Sequence, residues 1–151
     1  MTLPKKLKLR GNEIKIFCDG SSSTKLGSCL CVLIDRKNKW NKNKKYIITK
    51  TFNTNMPVNE IEYLALIEAL HLANTITSKE IKIFTDRIQI AEELDGTKLG
   101  NPQNLELYFQ AKSLLKDNIK IFWIHRKENL AGKYLDKRLK KITNYLKNTT
   151  H

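Results

Sequence analysis

Polar and apolar positions alternate over Glu13–Asp19, setting Ile14, Ile16 and Cys18 against Lys15, Phe17 and Asp19 as on a β-strand. Small residues from Ser21 to Gly27 then mark a turn. Ser28–Asp35 is a continuous apolar run, the pattern of a buried strand, and Tyr46–Phe52 is a third, β-branched one. Between these two lies a basic turn, Arg36–Lys45, with Trp40 in a solvated loop. Short connections predict an antiparallel meander for these three strands.

Beyond Asn55 the period lengthens to that of a helix. Pro57 suits a first helical turn, and Asn59–Ala73 carries apolar residues at helical spacing. Next come a short strand at Glu80–Thr85 and a short helix at Asp86–Leu94 stopped by Asp95-Gly96. A helix at Pro102–Lys116, a strand at Ile119–Ile124 and a long basic helix at Asn129–Leu146 complete the chain. The order is βββαβααβα, an α/β domain over residues 13–148 behind a basic N-terminal tail, 1–12. Helical crossovers lead into the last two strands, so both should lie parallel within a five-stranded mixed sheet flanked by helices.

The chain's 151 residues fit one domain with a proper core. No apolar run is long enough to span a bilayer, and no apolar segment follows the basic start as a secretory signal requires. The expectation is a cytoplasmic protein without a membrane partner. Cys29 and Cys31, two apart on one strand face, lack disulfide geometry, and no cysteine or histidine stands at zinc-ligand spacing. The three cysteines therefore read as free, buried thiols. Lys and Arg number 28 against 15 Asp and Glu, a net charge of +13. Such a surface attracts polyanions and points to nucleic acid, against the plainer reading of a Lys- and Asn-rich chain charged for solubility.

Ile-Lys-Ile-Phe occurs at 14–17, 81–84 and 119–122, each time as a strand, and the copies run out to Asp19, Asp86 and His125. Parallel strands in open α/β sheets form sites at their carboxyl ends, which puts Asp19 and Asp86 on one rim. Glu62 is in phase with Ala65, Leu66, Ala69, Leu70 and Ala73, so a carboxylate sits on the buried helix stripe, whereas Glu60 lies off it. Strand-end Asp residues also cap turns, and a helix start is often uncovered; each acid has that bland reading by itself. Together, three acids gathered by a basic protein most simply hold a hard cation such as Mg²⁺.

These elements resemble the type 1 ribonuclease H family from about Glu13 to Leu146. The carriers are Asp19-Gly20-Ser21 with Gly27, the Asn59–Leu66 segment as Asn-x-x-Glu-Tyr-x-Ala-Leu, Thr85-Asp86, and Arg126-Lys127-Glu128-Asn129. The resemblance implies a ribonuclease-H-like fold, with a short connection from Leu94 to Pro102 in place of a basic handle helix. It further implies an endoribonuclease that cuts the RNA strand of RNA–DNA hybrids with two Mg²⁺ ions, Mn²⁺ being a substitute. Asp19, Glu62 and Asp86 would be catalytic metal ligands, and Gly20, Ser21, Asn59, Arg126 and Asn129 would face the substrate. The family's fourth acid falls on Lys133; Asp136, three residues on, is the candidate in its stead. His125 corresponds to an assisting histidine of some members. Lys25-Leu26 and Arg87-Ile88 depart from the family pattern near the substrate. A monomer is expected. Two other readings stay open: a binding module on the same fold with a weakened centre, and another nuclease or strand-transfer enzyme.

Overall fold

A computed structural model describes residues 13–22, 26–37, 44–76, 80–96 and 104–149. The N-terminal tail, Lys25, Trp40 and most of its basic turn lie outside them. The elements are β1 (Glu13–Ser21), β2 (Cys29–Lys37), β3 (Lys44–Thr51), α1 (Val58–Asn74), β4 (Ile81–Thr85), α2 (Ile88–Asp95), α3 (Leu105–Leu114), β5 (Ile119–Trp123) and α4 (Leu130–Thr149). A 3₁₀ turn at Arg126–Glu128 joins β5 to α4. The strand order is β3-β2-β1-β4-β5, with β1–β2 and β2–β3 antiparallel and β1–β4 and β4–β5 parallel. This is the expected βββαβααβα mixed sheet.

The alternation along β1 divides the core between two layers. Ile14, Ile16 and Cys18 pack with Ile61, Leu66 and Leu70 of α1, Ile90 and Leu94 of α2 and Ala111 of α3. On the other face Phe17 packs with Cys29, Cys31 and Leu33 and with Ala131 and Leu135 of α4. Rings of Phe17, Phe84 and Phe122 stack in sequence across β1, β4 and β5, with centroids 5.1 and 5.7 Å apart. All three cysteines are free and buried, as expected. No helix among the described residues is long and apolar enough to cross a membrane.

Several boundaries differ from the sequence reading for local reasons. Pro57 is the N-cap residue of α1, just outside the first turn. Asp86 lies before α2, not within it, because the Thr85 hydroxyl accepts from Arg87 N (3.2 Å) and holds a non-helical bend there. Asn104 starts α3 by accepting from Leu107 N (3.3 Å), two residues later than Pro102. Asn129 caps α4 and is not its first residue, and the helix runs three residues past Leu146.

Two close approaches bring the layers to the sheet's rim. A Cβ on Gly20 would lie 2.8 Å from the carbonyl oxygen of Ile61, so α1 presses on the end of β1 at its second turn. A Cβ on Gly132, in the first turn of α4, would come within 3.1 Å of Asp19 Oδ2. Gly20→Ala should cost about 1–3 kcal/mol of stability by overpacking, read by denaturant unfolding, because a rigid backbone and not a flexible side-chain tip opposes the methyl.

Candidate metal centre

Parallel register aligns two of the acids. Phe17 pairs with Phe84 across β1 and β4, so two residues further along Asp19, still within β1, comes alongside Asp86, the first residue after β4. Both have the parity of Phe17 and Phe84 and emerge on the α4 side. Glu62 arrives from α1, one residue past the Ile61 carbonyl that seats against Gly20. One ligand oxygen from each of Asp19, Glu62 and Asp86 lies within 4.8 Å of the others. Asp19 and Glu62 are each only 6% exposed.

Three carboxylates in so small and dry a volume cannot all carry charge at low cost. Burial, then repulsion from Asp86, raises Asp19 to about 7, while the nearby Arg126 guanidinium pulls it down and Asp136 adds to the rise. Burial and the charges of Asp19 and Asp86 push Glu62 to about 9, helped by a carboxyl–carboxyl hydrogen bond to Asp19; the Gly20 backbone opposes the rise. Burial and mutual repulsion thus favour a proton on the Asp19–Glu62 pair when no cation is present. Glu62 Oε2 is buried and has no hydrogen-bond partner. A divalent cation would fill both needs, supplying positive charge and taking the orphaned oxygen. The donor set, all oxygen, suits Mg²⁺ or Mn²⁺.

Asn129 organises the centre. Fully buried, it donates from Nδ2 to the Cys18 carbonyl (3.0 Å) and to Asp86 Oδ2 (3.0 Å). Its Oδ1 accepts from Ala131 N (3.1 Å) and Gly132 N (3.4 Å), capping α4. One side chain therefore ties β1, the end of β4 and the start of α4 together. The sequence reading set Asn129 against substrate; in the fold its carboxamide bonds Cys18, Asp86 and the start of α4, which holds the Asp86 carboxylate in place. Trp123 acts on the same acid from β5, its indole N–H donating to the Asp86 carbonyl at 3.1 Å. Neither contact was anticipated, although an Asn just ahead of an amphipathic helix does signal a cap.

The remaining candidates fall around this cluster. Asn59, one turn before Glu62, is 8% exposed, and both its carboxamide oxygen and nitrogen lack partners. Gly20 and Ser21 end β1, with Ser21 in register with Cys29. Arg126 is exposed in the 3₁₀ turn. His125 is exposed and meets Trp123 edge-on, ring centroids 4.7 Å apart. Asp136 is exposed and stands outside the three-acid group, acting on Asp19 only through its charge. Lys133 is exposed one residue after Gly132.

Residues 17–138 match the model of the reverse transcriptase-like family. The chain belongs to this family. Among solved structures, the RNase H1 of the halophilic archaeon Halobacterium salinarum aligns at TM-score 0.60 and 24% identity, over 83% of this chain and 98% of that one. The N-terminal RNase H domain of a Mycobacterium tuberculosis protein aligns at TM-score 0.61 and 24% identity, over 82% and 95%. LC11-RNase H1, solved in complex with an RNA/DNA hybrid, aligns at TM-score 0.64 and 19% identity, over 87% and 99%. No curated protein matches the chain. The ribonuclease H resemblance and the ribonuclease-H-like fold expected from the motifs are both borne out.

The raised acids make metal-free stability depend on pH. Glu62 has its ordinary value near 4.5 in the unfolded chain and about 9 in the fold, so the native state binds the extra proton. Its contribution is full below about pH 4.5 and is lost as pH rises through 9. In chelator, Glu62→Gln should therefore gain stability relative to wild type as pH goes from 5 to 9, and Mg²⁺ should shrink that gap. Asn129→Ala should lose about 2 kcal/mol through the lost cap and hydrogen bonds. It should also weaken Mg²⁺ binding about 10- to 100-fold by calorimetry, the usual penalty for removing a group that orients a ligand.

Proposed function

We propose that this protein is an endoribonuclease that hydrolyses the RNA strand of RNA–DNA hybrids, leaving 5′-phosphate and 3′-hydroxyl ends. The observation that carries the reading is the buried Asp19–Glu62–Asp86 cluster at the sheet rim, with its unpartnered Glu62 oxygen. The family match and the hybrid complex formed by LC11-RNase H1 support the choice of substrate.

Asp19, Glu62 and Asp86 would hold two Mg²⁺ ions, for which Mn²⁺ would substitute, and Asp136 is the nearest further acid on α4 for a fourth ligand. When bound, such ions activate an attacking water and stabilise the leaving 3′ oxygen. The protein's own part is to keep the acids aimed. Asn129 fixes the Asp86 carboxylate, Trp123 fixes its backbone, and Gly20 and Gly132 let α1 and α4 close on Asp19. Asn59 has a free donor and acceptor beside Glu62, the pair needed to read a ribose 2′-hydroxyl. Gly20 and Ser21 would border the RNA strand. Arg126 would offset phosphate charge near Asp19, and His125, exposed beside Trp123, would assist in moving protons or releasing product. The enzyme would act as a cytoplasmic monomer.

Lys133 in the first turn of α4 favours a second reading, a module that grips the hybrid without cutting it. The two separate in one assay. A labelled hybrid incubated with Mg²⁺ should be cleaved by wild type, whereas Asp19→Asn and Glu62→Gln should bind it and leave it intact. Tight binding with no cleavage by wild type in either Mg²⁺ or Mn²⁺ would sink the enzymatic reading in favour of the module.

A further inference from the structure

The two helical layers carry opposite charge. On one face of the sheet, the acids of α1, α2 and α3 that reach the surface are Glu60, Glu68, Glu92, Asp95 and Glu106, of which Glu68 pairs with Lys50 of β3 at 2.9 Å, and Lys112 is the one lysine on these helices. On the other face, α4 alone bears Lys133, Lys137, Arg138, Lys140, Lys141 and Lys147 against a single acid, Asp136. All six of these cations are exposed.

Their spacing is ordered. Lys133, Lys137, Lys140, Asn144 and Lys147 recur at steps of four, three, four and three, so they form one stripe along the helix. The buried residues Ala131 and Leu135 are on the opposite side. None of the four lysines makes an ion pair with another described residue. From Lys133 to Lys147 the stripe extends roughly 21 Å at 1.5 Å per residue, or about six duplex steps of 3.4 Å. A groove of about 440 Å³ flanks it, lined in part by Lys140, Asn144 and Lys147. The stripe starts next to Gly132, whose Cβ position touches Asp19, so it leads directly away from the carboxylate cluster.

We propose that this face of α4 is a second nucleic-acid contact surface, holding the sugar-phosphate backbone of a duplex that extends beyond the carboxylate cluster. It deepens the hybrid-nuclease reading and rests on it for the identity of the duplex. Lysine ammonium groups act as point charges, so the surface grips phosphates without reading bases. The acidic layer repels the same polyanion and biases its approach towards α4.

The test is hybrid binding in the Asp19→Asn background, by fluorescence anisotropy of a 20-base-pair RNA–DNA hybrid across a salt series. Replacing Lys137, Lys140 and Lys147 together by Gln should lower the slope of log Kd against log salt by about 2 to 3, near 0.9 per lost phosphate contact. A charge-matched control, with the exposed Lys45, Lys116 and Lys120 replaced by Gln, should change the slope by less than half as much. An equal change in both triples would assign the effect to net charge and overturn the proposal, as would no change in the α4 triple. Tighter binding of wild type to anionic phosphatidylserine vesicles than to the hybrid would also overturn it. Binding is read without hydrolysis, so failure of the parent enzyme to cleave would count against the nuclease reading alone.

Discussion

Mutual repulsion among Asp19, Glu62 and Asp86 is the constraint on which the rest of the architecture turns. Like charges within 4.8 Å and out of water are stable only with a shared proton or a cation. The fold nevertheless forces them together, through parallel register between β1 and β4 and through the seating of Ile61 on Gly20. Hydrophobic burial on both faces supplies the opposing free energy. What results is a rim of three preassembled acids that could hold a metal ion with little reorganisation.

Much of this was legible in the sequence because it depends on period and on strand ends. The Ile-Lys-Ile-Phe copies at 14–17 and 81–84 pair residue for residue, which is why the acids two positions beyond them coincide. Glu62 declared itself by sharing a stripe with Ala65, Leu66 and Ala69, all buried here. Helix starts were less legible. Whether Asp86 and Asn129 begin a helix or precede it is decided by single side-chain bonds, from the Thr85 hydroxyl and from Asn129 itself, and no hydrophobic period records these.

The least legible part was cooperation between distant residues. Asn129 bonds the carbonyl of Cys18, which lies 111 positions earlier, and Trp123 reaches a carbonyl 37 positions away. Each is ordinary in its local context and acquires meaning only once three strands and a helix are assembled. Asp136, which the helix wheel puts forward as a fourth ligand, is exposed on α4 and raises Asp19 through its charge, a long-range effect that no spacing along the chain records.

One polar contact far from the rim bears on the spacing of the acids. Glu93, buried in α2, accepts from the Tyr63 hydroxyl of α1 and from Gln89 (3.2 Å). It clamps α2 to the helix that carries Glu62 just before the chain turns away at Gly96. Asp86 leads into α2 and Glu62 is the neighbour of Tyr63, so one buried hydrogen bond between two helices braces the spacing of two carboxylates that it does not itself touch.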